Sequence, residues 1–208
     1  MLHLETVDPG TFSILRDLME LPVLSKFSLV GGTALSLKYG HRKSVDLDLF
    51  TPFPFENELI VKSLNAFYKS EFVVEGRPER FGIFAYIRDI KTDIIHHPHP
   101  LIKPSIEIEG IRMYSTQDIM AMKIQAILGR GKKKDFWDIA ELLNHYSVQD
   151  FINFHKEKYT TQHLLITVPQ AMTYFADAEE SEDPISLKGQ SWESVKQFIR
   201  EKVSLFLK

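Results

Sequence analysis

The stretch Val30-Gly31-Gly32-Thr33-Ala34-Leu35-Ser36-Leu37-Lys38-Tyr39-Gly40-His41-Arg42-Lys43-Ser44-Val45-Asp46-Leu47-Asp48-Leu49-Phe50 reads as a strand end, a glycine turn, a short helix and a second strand. The first strand, Phe27 to Val30, is mostly apolar and is stopped by two glycines, which permit backbone conformations and close approaches that a side chain blocks. Thr33 is placed to cap a helix over Ala34 to Tyr39, and Gly40 suits its end. The free amides of such a helix start suit a phosphate. From Val45 to Phe50 the residues alternate, so Val45, Leu47 and Leu49 are expected on an apolar, core-anchoring face and Asp46 and Asp48 on the other. A rise of roughly 3.3 Å per residue sets those two carboxylates about 7 Å apart along the strand. Such a pair can grip magnesium, which takes carboxylates together with substrate phosphates as ligands.

Each half is ordinary by itself: alternating aspartates most often mark a solvated strand face, and a bare G-G-T is common. Joined in this order, G-G-T-A-L-S-L-K-Y-G-H-R-K-S-V-D-L-D-L-F closely resembles the signature of the AbiEii/AbiGii-type nucleotidyltransferases, a branch of the polymerase-β-like superfamily. The resemblance rests on the glycines, Ser44 and both aspartates standing in that order and spacing. That branch includes toxins of bacterial toxin–antitoxin and phage-defence systems.

Composition sets the outer bounds. At 208 residues with 44% apolar content the chain can bury one good core, or a core with a helical appendage. A net charge of −3 gives no global pull toward nucleic acid, so any such contact must come from a local patch. With no cysteine, disulfides and thiolate-bound zinc are excluded. The N-terminus lacks a signal-peptide core, and no apolar run approaches the roughly 20 residues needed to span a bilayer. The expectation is a cytoplasmic protein without membrane contact.

Outside the opening motif, residues 1–25 are expected to form a packing helix beginning near Asp8-Pro9. Thr51-Pro-Phe-Pro-Phe is a rigid turn, and a helix from Glu56 to Tyr68 is expected to place Leu59, Leu64 and Phe67 near one side. Glu71 to Gly76 is a short strand candidate. Phe81–Ile87 and Ile90–His96 read as a hairpin about Arg88-Asp89. In its second strand Asp93 shares a face with Lys91 and Ile95. An acid there either marks a solvent-facing side or supplies a third carboxylate to the first pair. His96, His97 and His99 lie among prolines without compact metal-ligand spacing and read as an exposed strand end or loop, with no role assigned. Ile106 to Met113 alternates about Glu109-Gly110, an edge hairpin.

Ser115 or Thr116 then caps a helix on which Lys123 falls toward the buried side, between Ile119 and Ile127. A buried lysine needs an anionic partner, although a snorkelling stem is the ordinary alternative. Gly129-Arg130-Gly131-Lys132-Lys133-Lys134 is the most basic segment; charge runs usually mark solvated loops, but this one can hold a triphosphate or an RNA backbone. Asp135 and Asp138 follow three apart on one helical face. Beyond Ser147 the chain reads as helical: Ser147 to Lys158, then Thr160 or Thr161 through Ala176 with a kink at Pro169, and a last helix from Ser191 to about Leu207. Asp177 to Gln190 is an acidic loop.

The resemblance implies a fold and a chemistry. The fold is α/β of the polymerase-β-like nucleotidyltransferase kind, a small mixed sheet flanked by helices with a helical C-terminal part, divided as a core over 1–114 and a helical part over 115–208. The superfamily takes its third acid from a later strand beside the first pair, which selects Asp93. Magnesium, or manganese in its place, is then held by Asp46, Asp48 and Asp93. Lys123 corresponds to a family lysine that points into the active site and can contact phosphate. Lys134-Asp135-Phe136-Trp137-Asp138 matches the family's late K/R-D-x-x-D element, whose acids orient Lys123 or serve as a structural helix start. The implied substrate-binding set is Gly31, Gly32, Thr33, Ser44, Arg130, Lys134 and Asp135. The implied activity is transfer of a nucleoside monophosphate from a nucleoside triphosphate to an RNA hydroxyl, transfer RNA included, by a toxin with a cognate antitoxin. Transfer to a small-molecule or protein hydroxyl, and a non-catalytic binding module on the same fold, remain as alternatives.

Overall fold

The computed structural model describes residues 1–77 and 80–208. Among them are seven strands: β1 (Ser28–Leu29), β2 (Leu47–Thr51), β3 (Phe72–Val74), β4 (Gly82–Ile87), β5 (Ile90–His96), β6 (Ile106–Ile108) and β7 (Ile111–Met113). They make one mixed sheet in the order β3-β4-β5-β2-β1-β7-β6. At its centre β2 runs parallel to β5 and antiparallel to β1, and β1 runs parallel to β7. Both sequence-predicted hairpins form. Their two-residue turns, Arg88-Asp89 and Glu109-Gly110, have positive φ at both positions, the conformation that matches the twist of the flanking strands. In β2, Leu47, Leu49 and Thr51 are buried while Asp48 and Phe50 are half-buried, the alternation expected. The strand starts at Leu47, however, so Val45 lies outside it and is exposed instead of anchoring the core.

Eight α-helices surround the sheet among the described residues: α1 (Pro9–Glu20), α2 (Gly31–Tyr39), α3 (Asn57–Tyr68), α4 (Thr116–Gly129), α5 (Lys133–Leu142), α6 (Val148–Lys158), α7 (Val168–Thr173) and α8 (Trp192–Phe206). Ser115, Ser147 and Ser191 cap their helices as the sequence suggests. Two expectations fail. Of the three residues expected on one side of α3, Leu64 is buried but Leu59 and Phe67 are exposed, because the ridge spaced four apart that turns inward is Ile60, Leu64 and Tyr68. The helix expected from Thr160 to Ala176 is only α7: Thr167 caps it, and Pro169 stands in its first turn, where a missing N–H costs nothing, so it starts the helix and does not kink it. One continuous apolar core joins Leu15, Leu29, Leu49 and Ile94 to Ile124, Phe136 and Ile199. A wholly buried pair, Lys158 Nζ to Asp118 Oδ1 at 2.7 Å, ties α6 to α4, and Lys158 also donates to the Pro100 carbonyl. No helix of the described residues is long and apolar enough to cross a membrane.

Candidate active site

The parallel register of β2 and β5 sets Asp48 directly opposite Asp93. Neighbours in register share a face, so residues far apart in sequence meet side by side. Asp46 stands just before β2, and its carboxylate accepts from Lys134 Nζ at 3.0 Å. Lys91, two residues before Asp93 on the same face, donates to Asp93 Oδ2. The other oxygen of that carboxylate, Oδ1, is buried with no hydrogen-bond partner. Burial, and then the negative charges of Asp93 and Asp46, push the Asp48 carboxyl up to about 6. In this conformation no three Asp, Glu or His groups among the described residues stand close enough to form a ready metal cage. The two lysines are engaged with the outer acids.

The glycine turn packs against this centre. Gly31 has φ +70°, and a Cβ there would lie 2.9 Å from Asp48 Oδ2; a Cβ on Gly32 would lie 2.0 Å from Arg42 Nη2. Backbone therefore touches the carboxylate and the guanidinium directly, which a side chain would forbid. Helix α2 begins at Gly31, three residues earlier than expected, with extended Val30 before it. Thr33 thus lies inside the first turn and is not its cap. Its hydroxyl donates to the Asp46 carbonyl and lies 2.8 Å from Ser44 Oγ, so Thr33 and Ser44 fasten the loop that carries Asp46 onto the helix. Gly40, at φ +66°, ends the helix as predicted.

Beneath the turn lies a buried network of charge. Lys123 is almost wholly enclosed and lies 2.8 Å from Asp135 and 2.6 Å from Asp138. Asp138 also accepts from Arg42 Nε at 2.7 Å and Nη2 at 2.9 Å, and His41 Nε2 lies 2.7 Å away. Burial alone would raise its carboxyl, but the charges of Arg42 and Lys123 and the hydrogen bonds from His41 and Arg42 hold it well below the usual carboxylate range. Asp135 is lowered in the same sense, the charge and hydrogen bond of Lys123 outweighing burial. Arg42 is not among the site residues read from the sequence, yet it is buried and central. Its one trace in the sequence is Asp138, since two acids facing a single buried lysine require a second cation.

A cleft of about 540 Å³ opens beside Asp46, lined by Lys43, Ser44, Lys132 and Lys134 on one side and by the loop Glu180–Ile185 on the other. That acidic loop is stitched in place. The Lys43 N–H donates to the Ile185 carbonyl at 2.9 Å, the Leu187 N–H to the His41 carbonyl at 2.9 Å, and Lys133 Nζ lies 2.7 Å from Asp183. Arg130, just past the end of α4, is exposed. The histidines are not a simple exposed strand end. His97 is half-buried between Phe50, His99 and Tyr159, with Nε2 3.3 Å from the Tyr159 hydroxyl. Burial and the nearby Lys158 lower its pKa to about 3, so the ring stays neutral and packs as an aromatic.

A mixed sheet presenting a D-x-D pair beside a glycine turn, with a further aspartate in register on the neighbouring strand, is the architecture of a nucleotidyltransferase. Two solved structures share the fold over nearly the whole chain. MenT4, a nucleotidyltransferase toxin from Mycobacterium tuberculosis, superposes with a TM-score of 0.61 at 13% identity, over 97% of this chain and 86% of its own. A putative nucleotidyltransferase from Helicobacter pylori gives 0.56 at 17% identity, over 95% of each chain. An uncharacterised protein of Aquifex aeolicus is 30% identical over 200 residues, 93% of this chain and 94% of that one. The profile of the family described as "Nucleotidyl transferase AbiEii toxin, Type IV TA system" matches residues 13–202. The chain belongs to the AbiEii nucleotidyltransferase toxin family and is a nucleotidyltransferase.

Proposed function

We propose that this enzyme transfers a nucleoside monophosphate from a nucleoside triphosphate to an RNA hydroxyl, with a divalent cation held by Asp46, Asp48 and Asp93, and that it acts as a toxin with a cognate antitoxin. The observation that carries this is the register match of Asp48 with Asp93 beside the Gly31-Gly32 turn. The acids suit a hard cation: every donor is a carboxylate oxygen, Asp93 Oδ1 is buried without a partner, and Asp48 is held near 6 by burial and by neighbouring charges that a cation relieves. Magnesium or manganese, when bound, neutralises charge on the triphosphate. The remaining work belongs to the chain. The Gly31 and Gly32 amides, at the positive end of α2, hold phosphate oxygens, with Thr33 and Ser44 shaping that loop. Asp93 draws the proton from the attacking hydroxyl. Lys123, held by Asp135 and Asp138, fixes the start of α5, from which Lys134 reaches the departing pyrophosphate. Arg130 lies on the exposed basic turn that an RNA backbone can follow.

The test is transfer of label from each of four α-labelled triphosphates, with magnesium or manganese, to total RNA or to total protein. Wild type should label RNA, and Asp48→Ala and Asp93→Ala should not. Label in protein alone would replace the RNA acceptor. No transfer, together with no metal-dependent triphosphate binding, would leave a non-catalytic binding module.

A further inference from the structure

Resting on the metal reading above, we propose that Lys91 is a substrate-binding residue that waits as the counter-ion of Asp93 and passes to the triphosphate when the divalent cation arrives. The acid centre contains two cations of its own. Lys134 neutralises Asp46 and Lys91 neutralises Asp93, while Asp48 stands against both acids. Each lysine holds one carboxylate oxygen with an ammonium group, an oxygen that a bound metal ion would compete for. The two salt-bridge lysines are also movable. Both are more than a third exposed, in contrast to Lys123, which is sealed between Asp135 and Asp138. Lys134 belongs to the basic segment at the start of α5, but Lys91 lies on a sheet strand outside any phosphate-binding motif.

Geometry limits where Lys91 can go. It leaves from β5 two residues before Asp93, on the same face as both strand acids, and its ammonium lies 6.0 Å from the centre of the Phe84 ring on β4. The head thus has an aromatic ring on one side and the acid centre on the other, within reach of both. When a divalent cation takes the Asp93 oxygens, the ammonium loses its anion. The nearest new anion of matching charge is the polyphosphate that the same cation brings. Each group that moves keeps a partner through the exchange: carboxylate with lysine before, carboxylate with metal and phosphate with lysine after.

Manganese binding to the full chain without nucleotide, followed by electron paramagnetic resonance, tests this for wild type, Lys91→Gln and Lys91→Met; the second variant keeps an unbranched apolar side chain. Removing the competing cation should tighten manganese binding about fivefold, the factor that ~1 kcal/mol of a partly exposed pair represents. A triphosphate with a non-cleavable α–β bridge should then bind these variants about tenfold more weakly in the presence of manganese, the scale of one charge-assisted contact. Lys91→Arg should keep both behaviours near wild type. If wild type binds manganese but neither neutral variant binds it more tightly, the counter-ion role is wrong. If the metal binds more tightly but the triphosphate binds unchanged, the passage to substrate is wrong. If wild type binds no manganese at all, the metal reading itself falls, whatever Lys91 does.

Discussion

Replacing Asp48 with Asn should make the metal-free protein more stable while abolishing transfer. The Asp48 carboxyl is raised from 3.8 to about 6 by burial and by Asp93 and Asp46. In the unfolded chain the group ionises near 3.8, but in the fold it keeps its proton until about pH 6. Folding therefore carries no penalty from this residue below 3.8. The penalty grows as pH rises between the two values and is complete above about 6. Just over two pKa units at 1.36 kcal/mol each give a ceiling of about 3 kcal/mol, and partial solvent screening reduces this to roughly 1–2 kcal/mol. Asn keeps the shape and carries no charge. For a chain of this size each kcal/mol moves the midpoint by roughly 2–4 °C, so Asp48→Asn should melt about 2–8 °C higher near neutral pH in the presence of a chelator. The gain should shrink as pH falls toward about 5, and added magnesium or manganese should raise wild type and leave the variant unmoved. Thermal melts across that pH range decide it. A variant that melts at or below wild type near neutrality, or a gain indifferent to pH, would show that the acids do not repel one another as the register implies.

Asp138→Asn removes the anion shared by Arg42, Lys123 and His41, and leaving buried cations without it should cost about 3–5 kcal/mol, read by urea unfolding. An unchanged midpoint would mean that Asp135 alone balances both cations. Gly32→Ala inserts a methyl where Arg42 Nη2 now sits, so the guanidinium must move; a loss of about 2 kcal/mol or more is expected in the same assay, whereas Gly10→Ala, with open space around its added carbon, should stay within about 0.5 kcal/mol.

What the sequence could disclose was mostly what is local. Both hairpins were legible because a two-residue turn and the alternation around it are set within a dozen positions, and the serine caps were legible for the same reason. The pairing of Asp48 with Asp93 was legible only as a possibility, because it depends on a register between strands that meet after the whole α3 hairpin region has been threaded. The inward ridge of α3 was misread because two apolar ridges compete there, and the sheet, which the sequence does not show, selects between them. Arg42 was hidden for a different reason. Its burial is created by two glycines ten residues earlier and an aspartate on a later helix, so no window of its own neighbourhood reports it. The wall supplied by Glu180–Ile185 read only as an acidic loop, since its attachment is made by backbone groups, which carry no residue signature.

The backbone ladder between residues 41–43 and 185–187 has a consequence for the order in which the cleft can be completed. One strip lies before β2 and the other after α7, so a ribosome must deliver all the chain between them before the two can be laced together. A prematurely terminated chain keeps the aspartates and lacks the far wall. Until then the aspartates stand without that wall, and completion of the cleft is a late step of synthesis.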